Sequence, residues 1–205
     1  FYNIYNDLNV PVKISSKEED LKNAKKLILP GVGSFDYAME KINNLGIRNV
    51  LNQLVLIKKV PILGVCVGMH IMASSSEEGT STGLSWIKAS VNKLNNNTKL
   101  VKKEHKENYN EFSNRKLKII LPHMGWNNIS IIKDSILLND IKNPWFYFLH
   151  SYYFLPFDSN LVLSETVYNR SFCSVFKKDN IYGVQFHPEK SHDWGRKLLL
   201  NFSSL

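Results

Sequence analysis

Cys66 lies between two glycines in Pro61-Ile-Leu-Gly-Val-Cys-Val-Gly-Met-His70, directly after an apolar run from Val60 to Val65. The pattern predicts a buried strand, a sharp turn and a helix from Met69 to Ser76, with Cys66 on the turn. Gly-x-Cys-x-Gly has the spacing of the Gly-x-Ser-x-Gly nucleophile elbow, where small neighbours relieve crowding around a strained residue. Such a turn carries the sulfur to a helix N-terminus, where backbone N–H groups and the helix dipole favour thiolate over thiol. The same residues would suit a buried strand that happens to include a small side chain, since free cysteine is among the most buried residue types. A base elsewhere in the chain must decide between these readings.

That base stands in Ile181-Tyr-Gly-Val-Gln-Phe-His187-Pro-Glu189-Lys-Ser191. Residues two apart in extended chain face the same way, so His187 and Glu189 project together. Pro188 fixes the backbone between them and favours an extended His187. A carboxylate beside an imidazole holds its tautomer and stabilises the imidazolium, while the other ring nitrogen takes a proton from a thiol. Nucleophile, base and orienting group are thus present, far apart in sequence as is usual for Cys/His sites.

The elements that must bring them together alternate in the first half. Phe1, Ile4, Tyr5 and Leu8 have helical spacing, and Val10 to Ile14 reads as a strand. Ser15 or Ser16 is placed to cap a helix that ends at Lys25-Lys26. Leu27 to Leu29 is a short strand running into Pro30-Gly-Val-Gly33, followed by helices over Phe35 to Leu45 and Arg48 to Lys59. After the Cys66 turn the chain becomes strand-rich. Leu84 to Leu94, Ile119 to Leu121, Asn128 to Lys133, Trp145 to Leu149, Leu161 to Tyr168, Cys173 to Lys177 and Ile181 to Phe186 all read as strands, and Trp194 to Phe202 as a final helix. This order predicts one α/β domain over residues 1–205, with a mainly parallel central sheet flanked by helices and a smaller antiparallel part. Because the chain opens on a helix, we expect an upstream strand and turn of roughly a dozen residues in the natural polypeptide.

Composition narrows the function classes. At 205 residues, 43% hydrophobic and 21% charged, the chain fits one soluble globular core. Its two cysteines lack C-x-x-C spacing, which gives no metal knuckle and no disulfide framework and points to a reducing cytoplasm. Cys173 reads as a packed strand residue. The run Val60 to Ala73 is too short to span a membrane, and no secretory leader is visible. About half of the net charge of +8 falls between Asn95 and Lys118, an Asn-rich polar surface excursion without any nucleic-acid-binding signature. Neither nucleic acid, membrane, metal nor cofactor is expected as a partner.

Gly64-x-Cys66-x-Gly68 with His187-Pro-Glu189 resembles the class I (triad) glutamine amidotransferases, which have a flavodoxin-like fold. Leu29-Pro-Gly-Val-Gly33, Ser76-Glu-Glu-Gly79, Pro122-His-Met-Gly-Trp-Asn127 and Phe148-Leu-His-Ser-Tyr152 look like the glutaminase subunits of imidazole glycerol phosphate synthase. The resemblance covers nearly the whole chain. It implies that Cys66 attacks the carboxamide of L-glutamine, that His187 shuttles the proton and that Glu189 orients it. Gly31, Val32 and Gly33 match the family's oxyanion strand, with the N–H groups of Val32 and Val67 as donors. Glu78, Ser151 and Tyr152 match residues that hold the amino-acid end of glutamine; read without the match, Glu78 fits a solvated face and Tyr152 a core position.

His123, Met124, Trp126 and Lys190 match the face that meets a (β/α)8-barrel synthase subunit, into which ammonia passes. Trp126 beside His123 and Met124 is also the kind of cluster found in interface cores. Three departures stand out: the family's first strand is missing, His70 replaces the usual glutamine four residues after the nucleophile, and the Asn95–Lys118 excursion is longer than usual. His70 is therefore expected to weaken or re-route glutamine recognition. The default product is imidazole glycerol phosphate. The alternatives are the same glutaminase feeding amination of a surface-polysaccharide or nucleotide-linked sugar, and a cysteine peptidase or other thiol hydrolase using the same triad.

Overall fold

The computed structural model describes residues 1–95 and 119–205. Apart from Asn95, the expected excursion from Asn95 to Lys118 lies outside the described residues. The first half contains α1 (Tyr2–Asp7), α2 (Glu18–Lys22), β1 (Leu27–Gly31), α3 (Phe35–Asn44), α4 (Arg48–Asn52), β2 (Ile62–Cys66) and α5 (Val67–His70). Then come β3 (Ser75–Ser76), β4 (Ala89–Lys93), β5 (His123–Asn128), β6 (Ser130–Ile131), β7 (Trp145–His150) and β8 (Tyr152–Pro156). The chain closes with β9 (Val162–Tyr168), β10 (Arg170–Lys178), β11 (Ile181–Val184) and α6 (His192–Ser203).

A six-stranded sheet in the order β1-β2-β11-β10-β9-β6 forms the centre. Pairing is parallel on both sides of β2 and antiparallel from β11 outward. Central β2 is buried at every position, as a strand covered on both faces must be. Its register sets Gly31 opposite Cys66 on one side and Val184 opposite Val65 on the other. The chain segments that follow β1, β2 and β11 therefore leave the sheet at the same end, the usual place for a site in such sheets. Two smaller sheets, β3-β4-β8 and β5-β7, pack against this unit. One hydrophobic cluster joins them, including Phe146 stacked on Phe186 at 3.8 Å and Phe154 on Phe176 at 4.7 Å. Among the described residues, no helix is long and apolar enough to cross a membrane.

Several elements differ from the sequence expectation. Val10 to Ile14 is not a strand: no strand among the described residues pairs with it or with the outer edge of β1. Without a ladder partner the segment's backbone has nothing to make it β. The expected Arg48–Lys59 helix changes at Gln53 to a π-helical turn that runs to Ile57. The helix after Cys66 is one turn, ending at His70, because the carbonyls of Ile71, Met72 and Ala73 accept N–H groups from Leu84, Ile87 and Ser85. Those bonds use residues 84–87 as well, so the expected strand Leu84–Leu94 shortens to β4. Ile119 to Leu121 is also not a strand, and Pro122 to Asn127, which carried a motif but no predicted element, supplies most of β5.

Candidate active site

β2 delivers Cys66 to its C-terminal end, where the backbone takes φ +53° and ψ −111°. A non-glycine residue there is strained, and the strain turns Sγ out of the strand. Three glycines admit the turn. A Cβ on Gly64 would lie 2.7 Å from Gly68 O, a Cβ on Gly68 would strike Leu29 O, and a Cβ on Gly31 would lie 2.7 Å from both the carbonyl carbon and Cβ of Val67. The β1 exit loop is thus pressed directly onto the residues that follow the nucleophile.

His187 reaches Cys66 from the other side of β2. Its N–H donates to Tyr147 O at 2.8 Å, and its carbonyl accepts the Ser191 hydroxyl at 2.6 Å, while Ser191 Oγ accepts from Tyr147 N–H at 3.0 Å. This clamp ties the His187 backbone to β7. The ring's Nδ1 lies 2.8 Å from Glu189 Oε1, and Cys66 is close enough to act on the charge of the imidazole. Burial opposes its charge, but the neighbouring Cys66 and Glu189 outweigh burial and push the His187 pKa up to about 9. The arrangement favours an imidazolium beside Cys66, with Glu189 holding the proton at Nδ1.

The loop after β1 carries Gly31, Val32 and Gly33. Val32 is 77% exposed and Gly33 takes φ +96°. Ser34 caps α3, accepting Tyr37 N–H at 3.3 Å. Glu78 lies against this loop and accepts Phe35 N–H through Oε2 at 2.9 Å. Burial raises the Glu78 pKa, and Asp36 adds to the rise against the Phe35 bond. Asp36 in turn accepts the N–H groups of Thr80 and Ser81 at 3.0 and 2.9 Å, so the two turns brace each other. Opposite them, Leu149 O lies 3.9 Å from Cys66 Sγ, and Ser151 and half-buried Tyr152 follow as β7 passes into β8.

Two expected positions differ. His123 is not on the outer face: β5 alternates, so His123 points inward while Met124 and Trp126 point out. The buried His123 stacks on Tyr168 at 4.0 Å, and its Nδ1 meets His150 Nε2 at 2.9 Å. His150 Nδ1–H donates to Tyr152 O at 2.8 Å, which leaves Nε2 as the acceptor and makes His123 Nδ1 the donor. Desolvation lowers the His123 pKa to about 4 and that of His150 well below its usual value, so both rings are neutral.

His70 is the second departure. It is 2% exposed and turned to Gln185, with Nε2 at 2.8 Å from Gln185 Oε1. Sequence reasoning passed over Gln185, although its period-2 spacing from His187 was a signal that both face Cys66. Outside, Met124 pairs across the ladder with Leu149, and Trp126 stacks on His192 at 5.3 Å with Tyr147 and Trp194 at its edges. Exposed Lys190 lies 5.7 Å over the Tyr147 ring, continuing this aromatic face.

The pattern of the class-I glutamine amidotransferase family matches residues 4–203. An imidazole glycerol phosphate synthase subunit HisH from Leptospira interrogans is 47% identical over 206 residues, covering 100% of this chain and 93% of that protein. A protein of Pseudomonas aeruginosa named HisH 2 is 38% identical, covering 99% and 92%. Among solved structures, a glutamine amidotransferase superposes with TM-score 0.68 at 16% identity, covering 99% of this chain and 92% of that one. The glutaminase domain of Trypanosoma brucei CTPS with bound acivicin gives 0.58 at 15%, covering 99% and 85%. The chain belongs to the class-I glutamine amidotransferase family, in its branch of HisH subunits of imidazole glycerol phosphate synthase.

Proposed function

We propose that this chain hydrolyses L-glutamine to glutamate and ammonia and passes the ammonia to a (β/α)8-barrel synthase subunit, which makes imidazole glycerol phosphate and AICAR in histidine biosynthesis. The observation that carries the reading is the triad. A strained cysteine (φ +53°) stands close enough to His187 to raise its pKa, and the Nδ1 of His187 is 2.8 Å from Glu189. The Cys66 thiolate attacks Cδ of glutamine, and the carbonyl oxygen becomes an oxyanion held by the N–H groups of Val32 and Val67. The imidazolium of His187 protonates the amine, the C–N bond breaks and NH3 leaves a glutamyl thioester. Water then attacks the thioester, His187 takes its proton, and Cys66 departs as thiolate with release of glutamate.

Glu78, with Ser151 and Tyr152 across the cleft, supports binding of the α-ammonium and carboxylate groups of glutamine. The outward face of Met124, Trp126 and Lys190 supports the barrel contact. Leu149 links the two, since its side chain is paired with Met124 while its carbonyl lies at the nucleophile. The test is glutamate release from glutamine by the co-purified complex, beside a panel of peptide substrates. Release of glutamate with intact peptides supports the proposal, and peptide cleavage without glutamate release overturns it.

A further inference from the structure

The one-turn α5 has consequences for Cys66. A helix of four residues (Val67–His70) sums few peptide dipoles, so it lends little field to a thiolate at its start. Polar side chains must supply more of it. Apart from His187, the side chain aimed at the sulfur is Gln185, fully buried, with Nε2 4.0 Å from Sγ. Its amide can sit either way round: Nε2–H2 toward sulfur favours thiolate, whereas Oε1 toward sulfur repels it.

His70 selects between these orientations. Burial lowers the His70 pKa to about 4, so the ring is neutral and carries a single N–H. Nδ1 is closed to solvent and has no partner among the described residues, while Nε2 lies 2.8 Å from Gln185 Oε1. With the proton on Nε2, the ring donates to Oε1, and only an unpaired lone pair is left at Nδ1. With the proton on Nδ1, the amide would turn its Nε2–H2 to the ring and a buried N–H would be orphaned at Nδ1, which costs more than an unpaired lone pair. The proton therefore belongs on Nε2, and it holds the amide with Nε2–H2 toward Cys66.

We propose that His70 and Gln185 form a positioning pair that fixes an amide N–H toward Cys66 Sγ and favours its thiolate, from the opposite direction to His187. The pair acts on the nucleophile through Gln185. The proposal rests on Cys66 being the nucleophile. The other polar groups around this cluster are the Leu149 carbonyl from β7, neutral His150, and His187 with Glu189 after β11.

The test is the pH profile of alkylation by iodoacetamide in the full chain, with Cys66 and Cys173 quantified separately by mass spectrometry. Cys173 is buried, and desolvation raises its pKa, so it reports only unfolding. In wild type, Cys66 should react far faster than Cys173; equal rates would sink the nucleophile reading itself. Gln185→Leu should move the alkylation midpoint to higher pH and slow the neutral-pH reaction on the order of tenfold, as loss of a hydrogen bond to a charged group implies. His70→Phe keeps a ring in the core but loses the donor, and should shift the profile in the same direction. His70→Gln restores an N–H donor and should return the profile toward wild type. The double variant His70→Phe/Gln185→Leu should match Gln185→Leu alone, because the two act as one unit. Fast wild-type alkylation with an unshifted Gln185→Leu profile, in protein whose Cys173 stays unreactive, overturns the proposal.

Discussion

Gly31→Ala tests whether the β1 exit loop and the turn after Cys66 must sit as close as they do. The new Cβ would lie 2.7 Å from the Val67 carbonyl carbon and from Val67 Cβ, and closer still to Gly68 N. Carbon atoms rest about 3.5–4.0 Å apart, so the loop and the turn must separate by roughly 1 Å. Overpacking of this kind costs about 1–3 kcal/mol, a modest loss of Tm in a chain of this size. Catalysis suffers more, because the two N–H groups proposed to hold the oxyanion, those of Val32 and Val67, lie on the surfaces being pushed apart. Loss of one such donor lowers kcat about 10²–10³-fold, and a 1 Å misplacement is of similar consequence. The assay is glutamine-dependent glutamate release by the complex, alongside turnover with ammonium salt and a melting curve. We expect glutaminase activity to fall at least about 10²-fold while ammonium-driven turnover persists. A folded Gly31→Ala protein with glutaminase within about twofold of wild type would refute the reasoning, since that packing would then set no catalytic distance.

Other perturbations follow from the same geometry. The His187 pKa is raised from the ordinary 6.5 to about 9, so glutaminase activity should decline as pH rises through about 9, where the imidazolium is lost. Glu189→Gln removes one of the groups that raise it, and should move that alkaline limb to lower pH; an unmoved limb counts against the assigned role. The linked stability has the same sign: the raised pKa contributes fully below about 6.5 and is lost through about 9, so wild-type Tm should fall relative to Glu189→Gln across that window. Trp126→Ala should weaken binding of the barrel subunit about tenfold or more, read by calorimetric titration, with only the small loss of Tm that its ring contacts imply; unchanged affinity would move the interface elsewhere. Glutamate release should rise from chain alone to complex to complex with the partner's substrate, if the exposed Val32 peptide is set only on assembly. Equal rates in all three would remove that gating step.

The triad was legible because each part carries its own local signal: small residues around Cys66, and Pro188 between two side chains that extended backbone turns the same way. Phe35–Asn44 was equally plain, with Ser34 to cap it and Gly46 past its end. What escaped was decided by partners distant in sequence. α5 stops at His70 because N–H groups of residues 84–87 claim the next carbonyls, and no window around Met69 contains that fact. Val10 to Ile14 has strand composition but no paired neighbour among the described residues. The motif places His123 on the outer face, whereas period-2 alternation with exposed Met124 turns it inward. His70 was read against glutamine, whereas its contact with Gln185 depends on β11 lying beside β2.

The central claim is a division of labour, in which Cys66 makes ammonia that a separate subunit consumes. The most direct measurement is product formation by the Cys66→Ala complex, driven first by glutamine and then by ammonium salt at high pH. Glutamine-dependent product should vanish, and ammonium-dependent product should remain near the wild-type rate, because free NH3 can reach the barrel site without the triad. Persistence of glutamine-driven turnover in Cys66→Ala, or loss of ammonium-driven turnover in a folded complex, would contradict the account.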